Sequence, residues 1–238
     1  MHFKSTGLVG KGKWGKILQK KINTVSKLYF TANSRSKYLS KLDKIDWVFI
    51  ATPDSTHYGI VNKCIEKKVN IFCEKPLTKT YSQSLKLFQK AKKNNVLLYV
   101  DEVQSFLNKK IILKKYNYIV RQKQGSGNTI DLLFRFAYHD FYFLYEKVKK
   151  FKISKIKIIN IKDCLEFKID FGNKSFFFHY NLNSKKKVHS FNSINLMTKK
   201  DVLSKMVKDV LNEKVDFKNN KNKSLFANKL IDKIIKKI

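Results

Sequence analysis

The sequence predicts an α/β protein whose first part is a parallel sheet with helices and whose second part is a smaller, hairpin-built sheet. Two observations lead to this prediction. Up to about residue 105, short apolar runs alternate with segments of helical spacing, which is typical of βαβ units. Beyond that point, successive apolar runs are separated only by turn residues, which indicates hairpins.

In the first part, strands and helices follow one another in strict alternation. Strands are predicted over 3–10, 26–33, 46–51, 69–74 and 96–102. Helices are predicted over 11–22, 55–68 and 81–94, with a short helical connection over 36–44. The first helix, for example, repeats apolar side chains at Trp14, Ile17 and Leu18. Because parallel strands end at one edge of their sheet, that carboxyl edge is the expected ligand site.

The second part begins with a turn over 125–128 and an aromatic-rich segment over 129–148. Strands are predicted over 152–161, 164–171 and 175–182, with Gly172-Asn173 as the turn of a hairpin. A lysine-rich tail over 199–238 is predicted to be helical. We expect this tail to pack on the protein's own sheet, with binding to a membrane surface as the alternative.

The formal net charge of +33 raises the question of nucleic-acid binding. However, the only arginines among the 51 basic residues are Arg35, Arg121 and Arg135. Phosphate recognition favours the forked donor geometry of arginine. Because the lysines are also spread along the whole chain, we expect a solvated basic surface and no nucleic-acid partner.

Three cysteines without C-x-x-C spacing predict reduced thiols in a cytoplasmic protein and no metal site. The sequence contains no apolar run of 18 residues and no signal-peptide pattern at its start. We therefore expect neither a membrane span nor a membrane partner.

The segment 10–15, G-K-G-K-W-G, matches the G-x-G-x-x-G turn of dinucleotide-binding proteins and lies between a predicted strand and helix. Gly10 permits the tight turn, Gly12 lets a pyrophosphate approach the backbone, and Gly15 allows close packing of the helix. Lys13 and Trp14 begin the helix, whose free N–H groups attract an anion. These five residues are predicted to bind the cofactor, although a glycine loop without a nucleotide remains the alternative.

The second predicted strand does not end in the usual acidic residue, which would bind a ribose 2′-hydroxyl. Ser34 and Arg35 stand there instead, and they can accommodate a 2′-phosphate. NADP is therefore favoured over NAD. The alternative is that Arg35 is an ordinary surface residue.

The only two prolines of the chain follow the third and fourth predicted strands, in Ala51-Thr52-Pro53 and Glu74-Lys75-Pro76. With the glycine turn, the stretches IATPDSTHYGI and FCEKPLT resemble the Gfo/Idh/MocA family of oxidoreductases over residues 7–103. A weaker similarity appears at FAYHDFYFLY. The resemblance implies a Rossmann domain over 1–103, with a doubly wound sheet. It also implies a shortened α+β domain over 104–238, whose open, mostly antiparallel sheet binds substrate and forms a homo-oligomer.

The resemblance also implies the residues of the site. Lys75 and His139 would be the catalytic pair acting on a substrate hydroxyl, with a cis peptide bond before Pro76. The loops after the third and fourth strands would contact the cofactor through Ala51, Thr52, Pro53, His57, Glu74 and Lys75, although His57 is equally well explained as a structural cap. Substrate contacts would come from Lys75, Arg135, His139 and Asp140.

The sequence therefore predicts an NAD(P)-dependent dehydrogenase or reductase that acts on a sugar or nucleotide-sugar carbon, in surface-polysaccharide biosynthesis. The alternative is a catalytically degenerate nucleotide-binding protein that serves as a sensor or scaffold. Two departures favour this alternative. Arg135 stands where many relatives carry aspartate, and the second part of the chain is short.

Overall fold

The computed structural model describes residues 4–107, 109–198 and 200–238. The predicted elements that begin at 3 and at 199 therefore start outside the described residues. The chain divides into two compact units. The first comprises Met1–Val103 and Asp201–Asn228, and the second comprises Gln104–Lys200 and Lys229–Ile238.

The first unit contains a five-stranded parallel sheet in the order β2-β1-β3-β4-β5. Its strands are β1 (Ser5–Val9), β2 (Lys27–Ala32), β3 (Trp47–Ile50), β4 (Asn70–Cys73) and β5 (Leu98–Val100). The helices between them are α1 (Lys13–Ile22), α2 (Asp54–Glu66) and α3 (Tyr81–Lys93), with a 3-10 turn over Leu39–Lys44. The predicted alternation is confirmed, and the element ends differ from the prediction by a few residues.

Stacked aromatic rings on neighbouring strands fix the register of this sheet. Phe49 stacks on Phe72 with ring centroids 4.9 Å apart, and Phe72 stacks on Tyr99 at 5.8 Å. A slip by one residue would turn each ring to the other face and break this stacking, so the stacked rings favour the observed register. In that register Ile50 pairs with Cys73 and Cys73 with Val100. The loops after these strands therefore leave the sheet at one level.

The second unit contains a six-stranded mixed sheet in the order β11-β10-β6-β9-β8-β7. Only β6 and β9 pair in parallel, so the sheet is mostly antiparallel, as predicted. Its strands are β6 (Tyr116–Gln124), β7 (Ile153–Asn160), β8 (Leu165–Phe171), β9 (Lys174–Asn181), β10 (Asn183–Phe191) and β11 (Ile194–Asn195). The aromatic-rich segment is helical and consists of α4 (Thr129–Leu132), a π-helical turn (Leu133–Ala137) and α5 (Tyr138–Val148).

The lysine-rich tail forms two helices, α6 (Val202–Leu211) and α7 (Phe217–Ile235). Residues 201–228 belong to the first compact unit, whereas the sequence placed them in the second domain. The physical reason is a set of buried hydrogen bonds. The Asn220 side chain bonds both the N–H and the carbonyl oxygen of Val100, at 2.9 and 2.8 Å. Asn228 donates to the carbonyl oxygen of Thr78 at 2.9 Å.

Among the described residues, no helix combines the length and the apolar character that crossing a membrane requires.

Candidate functional site

The candidate site lies at the carboxyl edge of the parallel sheet, where the loops after the five strands begin. In such sheets this edge is the usual place of ligand binding. Most of the predicted cofactor residues lie in these loops or directly after them: Gly10 and Gly12 after β1, Lys13, Trp14 and Gly15 in the first turn of α1, Ser34 and Arg35 after β2, Ala51, Thr52 and Pro53 after β3, and Glu74 and Lys75 after β4.

Two glycines of the first loop are required by close backbone contacts. Gly10 has a φ of +132°, and a Cβ on it would overlap the carbonyl group of Ala51. A Cβ on Gly15 would overlap the carbonyl oxygen of Gly10, so α1 packs on the turn because position 15 lacks a side chain. Both contacts agree with the roles that the motif predicts for these positions.

Gly12 differs, because a Cβ on it would meet no atom within 4 Å. Gly12 is also the N-cap residue of α1, and no side chain caps the first turn of this helix. Uncapped N–H groups at a helix N-terminus favour an anion. Open space beside an uncapped helix N-terminus is the geometry that a dinucleotide pyrophosphate requires, so these residues fit the cofactor that the motif implies.

The loop after β2 exposes Ser34 and Arg35 to solvent. The Asn33 carboxamide oxygen accepts from the Arg35 N–H at 2.9 Å, and the Ser36 hydroxyl accepts from the Asn33 N–H at 3.2 Å. Side chains of this loop therefore hold its backbone. The Arg35 guanidinium lies at the strand end where an acidic residue is usual.

His57 ties the loops after β3 and β4 together. Its ring is buried; Nδ1 lies 2.8 Å from the carbonyl oxygen of Pro76, and Nε2 lies 2.9 Å from that of Thr52. Burial lowers the pKa of His57, while the two carbonyl groups favour the protonated ring. These contacts support the structural alternative for His57, because neither ring nitrogen is left to bond a cofactor.

The loop that carries Lys75 is fixed by contacts of the residues that follow it. The Lys75-Pro76 peptide bond is cis, as predicted. Beyond the His57 contact with Pro76, the Thr78 hydroxyl lies 2.8 Å from that of Ser84, and the carbonyl oxygen of Thr78 accepts from Asn228. Lys75 itself is half-buried. The fold therefore holds the backbone of this lysine in place at the carboxyl edge.

Glu74 and Asp101, at the ends of β4 and β5, form a buried pair of carboxyl groups that hydrogen-bond each other. Burial raises the pKa of Glu74 well above its usual range, and the Asp101 carboxyl adds to the rise. Burial also raises the pKa of Asp101, against the opposing effects of the Val103 N–H and the Lys75 ammonium. Two bonded carboxyl groups share a proton. Glu74 was predicted to contact the cofactor, but its side chain turns inward to Asp101.

The Glu102 side chain lies in a second buried cluster that the sequence analysis missed. One of its oxygens accepts from the Lys223 ammonium at 2.6 Å, and the other accepts from the Tyr99 hydroxyl at 2.8 Å and from the Asn220 amide at 3.1 Å. Tyr99 is close in the chain, but Asn220 and Lys223 lie about 120 positions away, so no local pattern could reveal these two partners. The run Asp101-Glu102 after a buried strand was the available signal.

The other predicted site residues lie in the second unit. His139 is half-buried on α5, and Arg135 is exposed on the π-helical turn, where its guanidinium donates to the carbonyl oxygen of Ser126 at 2.6 Å. Asp140 was predicted to bind substrate, but it is buried. Its carboxylate accepts from the Arg121 guanidinium at 2.7 and 2.9 Å, from the Tyr180 hydroxyl at 2.9 Å and from His189 at 3.2 Å.

This network gives Asp140 a structural role, because it joins α5 to three strands of the sheet. Although burial acts in the opposite direction, the charge of Arg121 and the bonds from His189 hold the pKa of Asp140 at about 2. Arg121 was not predicted as a site residue. Its importance follows from the fold, since the buried carboxylate requires a compensating charge.

Residues 7–102 match the sequence model of the oxidoreductase family with an NAD-binding Rossmann fold, Gfo/Idh/MocA. This part of the chain is therefore similar to the Gfo/Idh/MocA family. Among curated proteins, an inositol 2-dehydrogenase of Paenarthrobacter aurescens is 44% identical over 43 residues, which are 18% of this chain and 13% of the relative. The matched segments span 22% or less of the curated relatives' lengths.

Solved structures extend the likeness to both units. The UDP-N-acetylglucosamine 3-dehydrogenase GnnA of Acidithiobacillus ferrooxidans has a TM-score of 0.82 at 15% identity, covering 97% of each chain. The WlbA dehydrogenase of Thermus thermophilus, solved with NAD and UDP-GlcNAcA, has a TM-score of 0.76 at 12% identity, covering 96% of this chain and 94% of that one. At these identities the comparison establishes the fold.

Proposed function

We propose that the protein is an NAD(P)-dependent oxidoreductase that moves a hydride between the nicotinamide and a sugar or nucleotide-sugar carbon. One observation carries the proposal: two features lie at the same edge of the sheet. Lys75 is half-buried on a fixed loop, and the glycine turn leaves room for a pyrophosphate. The match of residues 7–102 to an NAD-binding oxidoreductase family supports it.

The cofactor, when bound, supplies the hydride acceptor or donor. We assign Lys75 to the substrate hydroxyl: its ammonium donates a hydrogen bond to the oxygen and stabilises negative charge there as the C–H bond breaks. From the family resemblance we assign His139 the role of acid–base group. It accepts the proton of the substrate hydroxyl during oxidation and returns it during reduction. The hydride and the proton together account for the two hydrogens that the alcohol loses.

Replacing either group tests this assignment. Lys75→Ala and His139→Ala should each keep cofactor binding, measured by fluorescence titration, and lower turnover about 10²- to 10⁴-fold on a sugar found with a substrate panel. Lys86→Ala, which removes an exposed lysine from α3, is the matched control and should keep full turnover. Unchanged turnover in Lys75→Ala would refute the proposed chemistry.

The finer proposal for the cofactor is a preference for NADP, supported by Arg35 and by the missing acidic residue at the end of β2. A charge-assisted contact to the 2′-phosphate contributes about 1.5–3 kcal/mol, which corresponds to roughly 10- to 150-fold in affinity. Arg35→Ala should therefore weaken NADP binding by that factor and leave NAD binding nearly unchanged. Lys37→Ala, on a neighbouring exposed lysine, is the control. Equal dissociation constants of the wild type for NAD and NADP would contradict this preference.

A nucleotide-linked sugar, as used in surface-polysaccharide biosynthesis, is the substrate class that we propose. Two structural neighbours support it, because one is a UDP-N-acetylglucosamine 3-dehydrogenase and the other was solved with UDP-GlcNAcA. Within the second unit, burial and the charges of Arg135, Lys187 and Arg121 lower the pKa of Lys123, so several cationic groups act on one another there. A substrate phosphate or carboxylate would relieve their repulsion, which makes Arg135 a proposed substrate contact.

The second candidate is a nucleotide-binding protein of this fold that has lost catalysis and acts as a sensor or scaffold. Arg135, at the position where relatives carry aspartate, is the observation that favours it. Cofactor binding by the wild type together with no turnover on any sugar of the panel would favour this candidate over the enzyme. A homo-oligomer formed through the second sheet remains a proposal for either function.

A further inference from the structure

The second sheet carries a cluster of three side chains with different metal-binding atoms. The Cys164 thiol, a Glu166 carboxylate oxygen and a ring nitrogen of His179 all lie within 4.8 Å of one another. All three side chains are partly exposed. The cluster lies in the second unit and plays no part in the function proposed above.

Strand geometry brings these three residues together. Glu166 on β8 pairs directly with His179 on β9, and buried residues flank each of them along its strand, so both point to the less buried face of the sheet. Cys164 precedes Glu166 by two residues, the spacing at which side chains of a strand share a face. Two members of the cluster therefore lie on paired strands, and Cys164 lies in the bend directly before β8.

The hydrogen bonds of the cluster define where a metal would enter. The Nδ1 atom of His179 lies 2.7 Å from the Glu166 carboxylate, and its Nε2 atom lies 2.9 Å from the Gln122 amide nitrogen. Because an amide nitrogen only donates, Nε2 accepts and the ring proton resides on Nδ1, facing Glu166. A metal between Glu166 and His179 would take the place of that proton.

The thiol completes the ligand set. Burial raises the pKa of the Cys164 thiol, and the nearby carboxylates of Glu166 and Asp163 add to the rise. A bound metal ion would displace the proton of the thiol, because the thiolate is the form that binds a metal. Lys168, the lysine of β8, forms an ion pair with Asp170 at 3.0 Å, so its positive charge is already neutralised.

We propose that Cys164, Glu166 and His179 bind a Zn²⁺ ion, with water as the fourth ligand. Sulfur, imidazole nitrogen and carboxylate oxygen are the donors that zinc takes in proteins, at about 2.0–2.3 Å. In a tetrahedral site such ligand atoms lie about 3.5 Å apart, so the Glu166 and His179 side chains must separate by roughly 1 Å. The thiolate and the carboxylate neutralise the two charges of the ion.

Metal binding would move two protons at this site, one from Cys164 and one on His179. The Cys164 proton leaves to solvent when the sulfur binds the metal. The His179 proton moves from Nδ1 to Nε2, where the Gln122 carboxamide, turned over, accepts it through its oxygen. Gln122 thus becomes the outer partner that fixes the ring, as metal-binding histidines commonly require.

Cobalt is the probe that tests the site, because a thiolate–Co²⁺ bond gives a charge-transfer absorption band in the near ultraviolet. The full chain without a histidine tag should bind one Co²⁺ with this band, and Zn²⁺ should displace it with loss of the band. Cys164→Ser should abolish the band, and His179→Gln and Glu166→Gln should each lower Zn²⁺ affinity more than about 100-fold. Asp163→Asn, one residue before the thiol, is the matched control and should keep the band.

Gln122→Ala gives an independent measure, since loss of an outer partner lowers metal affinity about 10- to 100-fold. Circular dichroism of each metal-free variant checks that the fold is retained. Zn²⁺ should also raise the melting temperature of the wild type and leave that of Cys164→Ser unchanged. The absence of a thiolate band in the wild type, or a band that persists at equal affinity in His179→Gln, would overturn the proposal.

Discussion

Gly12 combines a backbone that any residue can adopt with open space where its side chain would be. Its φ is −72°, and a Cβ on it would meet no atom within 4 Å. The folded protein therefore tolerates a side chain at this position. A requirement for glycine there arises from the ligand, whereas Gly10 and Gly15 are required by the protein's own backbone.

This contrast makes Gly12→Val a specific test of cofactor binding. The variant should fold with an unchanged melting temperature and lose NADPH binding, because the valine side chain fills the space that the pyrophosphate needs. Fluorescence titration measures the affinity. Gly59→Val is the matched control, since Gly59 in α2 also has no atom within 4 Å of an added Cβ. It should bind NADPH like the wild type, and its helix stability should not fall, because valine has a higher helix propensity than glycine.

At the scale of elements, the ends of β4 and β5 are joined by the shared proton of Glu74 and Asp101. Folding raises both pKa values above the ordinary values of 4.5 and 3.8. The folded state therefore binds more protons than the unfolded state, and stability falls as the pH rises. The contribution of the pair is fully present below about pH 4 and is lost as the pH rises through the folded pKa values.

Glu74→Gln tests this linkage, because its amide still donates to Asp101 but cannot ionise. Between about pH 5 and pH 8, the melting temperature of the variant should rise relative to that of the wild type. Thermal melts across that range provide the measurement. Glu213→Gln, which neutralises an exposed glutamate, is the control and should follow the wild-type curve more closely. If Glu74→Gln and the wild type show parallel curves, the carboxyl pair does not share a proton.

At the scale of the whole molecule, the chain returns from the second unit to complete the first. Residues 201–228 supply Asn220, Lys223 and Asn228, whose side chains bond the ends of β5 and the loop after β4. The candidate site therefore depends on a segment far from the strands that carry it. The carboxyl edge of the parallel sheet of residues 1–103 therefore depends on hydrogen bonds from residues 201–228.

Lys223→Met tests this dependence, because it leaves the buried Glu102 carboxylate without its cationic partner. Removing one member of a buried ion pair costs about 3–5 kcal/mol, and both residues here are buried. Chemical denaturation measures the loss. Lys218→Met, on an exposed lysine of the same helix, is the control and should change stability by no more than about 0.5 kcal/mol. A similar small loss in Lys223→Met would show that the tail is dispensable.

The sequence by itself determined the parts whose signal is local. The periodicity of the apolar residues predicted the strands and helices of the parallel sheet, and the glycine and proline motifs marked its carboxyl edge. These patterns succeed because turn geometry, strand burial and helix starts depend on residues that are neighbours in the chain. The two-part fold followed from the family resemblance of the same motifs.

Only the tertiary structure decided which polar side chains face inward. Glu74 and Asp140 were predicted to contact ligands, and His57 was predicted either to contact the cofactor or to act as a structural cap. Their partners Asp101, Arg121 and the carbonyl groups of Thr52 and Pro76 hold these side chains inside the protein. The cluster of Cys164, Glu166 and His179, across a hairpin, was likewise not predicted. Sequence spacing cannot reveal these pairings, because the energy of a buried polar group depends on partners that folding brings from distant parts of the chain.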